Sequence, residues 1–317
     1  MKKQIIAILA VTLFLTGCTQ NITSNKKTKP GIYHEIETTL TSRVVDDIVN
    51  FSDLVTKEIT KLQKTGQDFW FDQNQKIKMK EPMYNLHEKI ECKDNSKNDC
   101  SIVGLQAFKY NLPPDFKIGE CDSIDWCDII EPKFSKNIIE NTKQISGIYG
   151  FGKDIYTVGN KDNNDDTYYI YKNEKEIFLH SMFFGTESTI IDASMILDSP
   201  AFNFYDPIKI TDENNPITTH NIWYQDETIN EKYEVDSSSY LFSYQNKTGF
   251  VGEKDGQKFV FFNGQKISED FDEIRTSSCC AIFSYPIELD KNGIMFFLAK
   301  RGEKYFFVEI NLNEYLK

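Results

Sequence analysis

The C-terminal half of this chain repeats itself, and that constrains its fold more than any other feature. Segment 251–262 (VGEKDGQKFVFF) aligns without a gap on 297–308 (FLAKRGEKYFFV), 46 residues later. Segment 222–233 (IWYQDETINEKY) matches 260–271 (VFFNGQKISEDF) at a displacement of 38. A weaker copy runs from Ile155–Val158 through a polar loop to Tyr168–Asn173. Corresponding strand ends fall at Tyr171, Tyr224, Phe262 and Val308, at spacings of 53, 38 and 46. A repeat of this length marks one supersecondary unit that buries its apolar faces by stacking on its neighbours.

Each copy reads as a hairpin unit. An apolar strand is followed by a polar turn, an aromatic strand, an Asn-Gly-like turn and an outer strand. Asn263-Gly264 is the clearest turn signal. The fold class expected is mainly β, with propeller-like repeats of about 40–50 residues after one amphipathic helix. Over 147–317 the pattern resembles bacterial propeller-repeat proteins of the TolB/WD40-like kind. That resemblance implies radially packed blades. The chain stops just after the last aromatic strand, so an earlier segment is expected to complete that unit. A β-sandwich or an open meander of hairpins is the alternative.

The N-terminus carries a second signal. Met1-Lys2-Lys3 precedes an apolar run, Gln4–Phe14, too short to span a bilayer and of signal-peptide length. It ends at Leu15-Thr16-Gly17-Cys18. Here the chain resembles bacterial lipoproteins, whose lipobox ends in the acylated Cys. The resemblance implies lipidation at Cys18 and removal of 1–17. Two or more acyl chains hold a protein stably on a bilayer. Residues 18–34 then read as a polar, flexible tether.

Cys18 apart, six cysteines remain: Cys92, Cys100, Cys121, Cys127, Cys279 and Cys280. An even number in an exported chain suggests disulfides. Local spacing favours Cys92–Cys100 and Cys121–Cys127. Both spacings are wider than the short C-x-C steps of a zinc site. Cys279 and Cys280 form a vicinal pair, either a ring disulfide, two thiols or partners of a distant Cys.

Between Leu40 and Leu62 apolar residues recur about every 3.7 positions, the helical period. This predicts an amphipathic helix within 35–66, stopped at Thr65-Gly66. Residues 67–146 form a Cys-containing region with strand-like stretches at 68–71, 76–80, 102–110 and 124–130. It supplies either degenerate blades or a separate cap.

Catalytic motifs are absent from the sequence: there is no P-loop, no G-x-S-x-G elbow and no G-x-G-x-x-G. His87-Glu88 begins like a zincin motif, but Glu91 stands where the second His belongs. Asp162, Asn164 and Asp166 space oxygens like a calcium loop, but Thr167 and Asn173 occupy the Gly and Glu positions. Asp198, Asp206 and Asp226 lie near turns, with nothing to single out a glycosidase pair. No cofactor is expected. The net charge of −12 and only three arginines (Arg43, Arg275, Arg301) argue against nucleic acid as a partner.

The expected function is that of a non-enzymatic envelope lipoprotein. It would be exported, lipid-anchored to the cell membrane or outer membrane through Cys18, and would present a β-repeat surface to a protein or glycan. An exported hydrolase using loop carboxylates and a structural assembly lipoprotein are the alternatives.

Overall fold

The computed structural model describes residues 31–42, 51–93, 100–130, 136–142, 144–160, 167–181, 190–207, 218–275 and 287–316. Cys18, Cys279, Cys280, Asp162, Asn164 and Asp166 lie outside these residues. Within them the protein is mainly β, built of antiparallel sheets.

Strand β1 (Tyr33–Glu37) opens the described chain, followed by helix α1 (Phe51–Lys64). The next strands are β2 (Glu81–Pro82), β3 (Tyr84–Cys92), β4 (Cys100–Phe108), β5 (Lys117–Cys121) and β6 (Trp126–Ile130). After the short α2 (Lys136–Asn141) come β7 (Gln144–Phe151), β8 (Asp154–Asn160), β9 (Thr167–Lys172) and β10 (Lys175–Ser181). Together β3–β10 form an eight-stranded sheet in the order β10-β9-β8-β7-β3-β4-β6-β5. The region 67–146 is therefore joined to the first repeat through β3, which pairs with β4 along one half and with β7 along the other.

A second sheet holds β11 (Ile190–Ile196), β12 (Ser199–Pro207), β13 (Thr218–Tyr224) and β14 (Glu227–Thr228), with β2 on the edge of β11. Helix α3 (Ile229–Tyr233) leads to a third sheet: β15 (Ser237–Tyr244), β16 (Lys247–Lys254), β17 (Gln257–Phe262) and β18 (Gln265–Lys266). The fourth is built from β19 (Glu273–Ile274), β20 (Ile287–Leu289), β21 (Ile294–Arg301) and β22 (Lys304–Asn311). Its outer strand is β1, paired with β22 over Tyr33–Glu37. An early segment thus completes the last repeat.

This pairing corrects two expectations. Tyr33 and His34 belong to a strand rather than the tether, and Ile36 to a strand rather than the helix. Period-2 pairing with β22 wins over helical periodicity because Ile36 is buried against the fourth sheet while Glu37 faces solvent. In α1, Val55, Ile59 and Leu62 are buried on that same sheet face, while Thr56, Lys57, Thr60 and Lys61 are exposed. The helix belongs to the core.

Neighbouring sheets pack face to face through separate apolar layers. Met83, Tyr156, Val158 and Ile170 of the first sheet and its approach meet Phe202 and Trp223 of the second. Ile222 and Tyr224 meet Phe250, Phe259 and Phe261 of the third. Val251, Val260 and Phe262 meet Met295, Phe297, Val308 and Ile310 of the fourth. No sheet closes on itself and the described residues do not form a propeller ring. The last sheet's far face packs on α1, through Phe296, Leu298, Tyr305 and Phe307. The arrangement is the open series of hairpin meanders.

One segment ties this series together. From 72 to 86 the chain passes one strand of each sheet in reverse order: β20, β15, β11 and β7. Ile77 N donates to Leu289 O of β20, and Ser243 N of β15 donates to Met79 O. Then β2 pairs with β11 and β3 with β7. The stretches 68–71 and 76–80 are consequently not regular strands, because each sheet offers them only one or two bonds.

Turn chemistry follows the hairpin rule. Among the described residues, five two-residue turns have both central residues in the left-handed region: Leu197-Asp198, Gln225-Asp226, Gln245-Asn246, Asp255-Gly256 and Asn263-Gly264. The gapless 46-residue alignment is one residue off. Lys254 pairs with Gln257 across its turn, and Arg301 with Lys304, a displacement of 47. Phe250 faces the preceding sheet, as does Phe297; Val251 faces forward, as does Leu298. A slip of one residue would put every side chain on the wrong face. Equivalent strand ends are Lys172, Tyr224, Phe262 and Glu309, each before or at the same edge of its unit.

Candidate functional site

Two kinds of unusual residue emerge from this framework: carboxylates inside the core, and aromatic rings outside it. The carboxylates are fasteners. Glu309 takes the position held by Phe262 in the previous unit, yet is fully buried. Its Oε1 accepts from the backbone N–H groups of Trp70 (2.9 Å) and Phe71 (2.8 Å), and Oε2 lies 3.0 Å from His34 Nδ1. Burial pushes its carboxyl above the usual range, opposed by these bonds. His34 sits against Trp70, with centroids 5.0 Å apart. Asp290, equally buried, accepts from Asn292 and Ile294 with Oδ1 and from Asp72 with Oδ2. Arg301 grips β1 by a bidentate pair with Glu35 (2.9 and 3.0 Å) and lies over Phe271. These groups lock the N-terminal segments onto the fourth sheet, Glu309 and Asp290 with fully buried carboxylates and Glu35 with a part-buried one.

The rings lie at the opposite end of the series. Strands β3, β4 and β6 turn one face toward α2, β7 and β8, burying Leu86, Leu105, Ala107 and Ile129. The residues between them point the other way. Cross-strand pairs His87–Gln106, Gln106–Asp128 and Phe108–Trp126 therefore share the outer face. Ring contacts run His87–Trp126 (4.7 Å), Trp126–Phe108 (5.5 Å) and Phe108–Tyr110 (5.4 Å), each edge-on. Phe108 is 41% exposed and Tyr110 74%, with Ile124 at 68% beside the same hairpin. Burial in a core is the ordinary fate of such rings, and Phe108 and Tyr110 depart from it.

Polar groups are interleaved with the rings. Asp128 accepts from Lys89 Nζ at 2.7 Å and from Gln106 Nε2 at 3.0 Å. The Lys89 hydrogen bond, chiefly, holds the Asp128 carboxyl below its usual range and raises the Lys89 amine. Lys109 pairs with Asp125 at 3.3 Å and lies over the Tyr110 ring.

The local sequence makes this face rigid. Both expected disulfides are present, Cys92–Cys100 and Cys121–Cys127, each joining residues directly opposite on paired strands. Between the second pair, Asp122 Oδ1 accepts from Ile124 N and Trp126 N, both at 2.9 Å, and Asp125 adopts φ +70°. Trp126 is thus fixed from both sides, by an Asx-type turn and by the adjacent disulfide.

Of the residues singled out in sequence, His87 joins this face as a ring rather than a metal ligand. Among the described residues no group of three or more His, Cys, Asp or Glu could hold a metal ion. Asp198 and Asp226 are left-handed turn residues, and Asp206 lies in β12 opposite Thr219. Phe108, Tyr110 and Trp126 were not legible as a group, because they come from separate segments. The available signal was the position of Trp126 beside a loop-closing cysteine. Comparison with family models, curated proteins and solved structures returned no match.

Proposed function

We propose that the chain is a non-enzymatic envelope lipoprotein, held on a membrane by acylated Cys18. Its disulfide-pinned outer face would serve as a contact surface for a protein or glycan of the envelope. The observation that carries this reading is the row of rings outside the core, the exposed Phe108 and Tyr110 in contact with the half-buried Trp126 that the disulfide hairpin holds. The lipobox Leu15-Thr16-Gly17-Cys18 supports the anchor. Residues 18–32 allow the body to stand up to about 50 Å from the lipid when extended. The fourth sheet receives that tether through β1, which leaves the aromatic face at the other end of the series.

Two measurements on the full chain in its native cell test the reading. Cys18→Ala should abolish incorporation of labelled fatty acid and release the protein from the membrane; unchanged labelling refutes the anchor. A photo-crosslinker at position 110 should capture envelope material, whereas one at 254, on a hairpin of the third sheet, should not. Equal capture at both refutes the surface assignment.

A further inference from the structure

Resting on that reading, we infer that the aromatic face binds an uncharged polysaccharide, whose sugar rings cover the exposed Phe108 and Tyr110 rings beside His87 and Trp126. The chemistry of the groups between the rings decides the class of ligand. The charges beside the rings are already closed on themselves, Lys89 with Asp128 and Lys109 with Asp125. A strongly charged partner seated on the rings would have to break these pairs.

An apolar protein surface fits no better. Seating it would take Lys89, Asp128 and Gln106 out of water, with nothing to replace the lost hydration. A polyhydroxylated ring resolves both problems. Its C–H faces cover the aromatic rings, and its hydroxyls both donate and accept. Such hydroxyls can donate to the free lone pairs of Asp128 and accept from Gln106, Lys89 or the His87 ring. The remaining neighbours suit this geometry. Gly104 lies on the outer face beside Lys89, where a Cβ would touch only the Lys89 stem at 3.9 Å. His87, Phe108 and Trp126 are set on strands, and Trp126 is held beside a disulfide, so little ordering cost falls on binding there.

The test uses the detergent-solubilised full chain, titrated with the hexamers of β-1,4-linked N-acetylglucosamine and of β-1,4-linked glucose. Trp126 emission and calorimetry are the readouts. Saturable binding to at least one hexamer is expected. Phe108→Ala and Tyr110→Ala should each weaken it about tenfold, as loss of one stacking contact implies. Asp128→Asn leaves the rings in place and should also weaken binding. Retained disulfides and an unchanged circular dichroism spectrum report that each variant is folded. Binding that survives the loss of both Phe108 and Tyr110 overturns the inference. So does the absence of saturable binding to either hexamer. If, in that second case, the crosslinker at 110 still captures envelope material, the contact surface stands and its ligand is a protein; if it captures nothing, both readings fall.

Discussion

Replacing Glu309 by Ala removes the acceptor that ties the segment after α1 to the fourth sheet. Two backbone N–H groups, of Trp70 and Phe71, lose a charged partner at 2.9 and 2.8 Å. Bonds to charged acceptors contribute roughly 1.5–3 kcal/mol each, and the orphaned donors cost a comparable amount. The carboxylate's own burial offsets part of this, because its desolvation penalty disappears with it. The net loss is then about 3 kcal/mol. For a protein of this size that lowers Tm by roughly 5–10 °C. The assay is thermal unfolding followed by far-UV circular dichroism, with chemical denaturation as a check. Glu309→Gln keeps an acceptor for both amides and should lose less than half as much. The pH dependence has a definite sign. Burial raises the Glu309 carboxyl, so the folded state holds the proton more tightly than the unfolded chain. Stability from this group therefore falls as pH rises between the unfolded and folded values. The advantage of the parent over Glu309→Gln should shrink over the same interval. A Glu309→Ala variant melting within about 2 °C of the parent would refute the fastener role.

Removing the second disulfide by Cys121→Ser with Cys127→Ala should cost about 2 kcal/mol, the loop-entropy value for so short a ring. It should also broaden the NMR signal of the Trp126 indole, while the β15–β17 core stays unchanged. Lys89→Met should move the Asp128 carboxyl titration, read by NMR, upward toward the ordinary range. Because the Asp128 carboxyl is held low in the folded state, the stability it contributes is present at neutral pH and lost as pH falls through its folded value; at 31% exposure the pair is worth less than about 1 kcal/mol. Gly249→Ala should destabilise strongly, by about 2–3 kcal/mol in a denaturant melt, since a Cβ there would lie 2.3 Å from the Phe242 ring and 2.6 Å from Phe261 O.

The fold was legible where local chemistry dictated it. Alternating apolar residues and Asp-Gly or Asn-Gly turns located β16, β17, β21 and β22. Local cysteine spacing located both disulfides, because opposed residues on a short hairpin are already close. Legibility ended where a distant strand decided the outcome. Tyr33–Glu37 scans as polar tether and helix start, and becomes a strand only because β22 offers an unpaired edge. Tyr84–Cys92 mixes charges with two apolar residues and carries no clear period, yet it joins two halves of a sheet. Glu309 reads as a solvated end of an aromatic strand, and is buried because the amides of Trp70 and Phe71 arrive from 238 residues away. The aromatic face was hidden for the same reason. His87, Phe108 and Trp126 become neighbours only through the register of β3, β4 and β6, which no single segment encodes.

Hydroxyl-radical footprinting of intact cells against the purified protein tests the role of that face most directly. Oxidation of Phe108, Tyr110 and Trp126 should fall several-fold in the native envelope, while Tyr233 and Phe261, between the second and third sheets, should show no such change. Equal oxidation of these three rings in both settings would contradict their assignment as a contact surface.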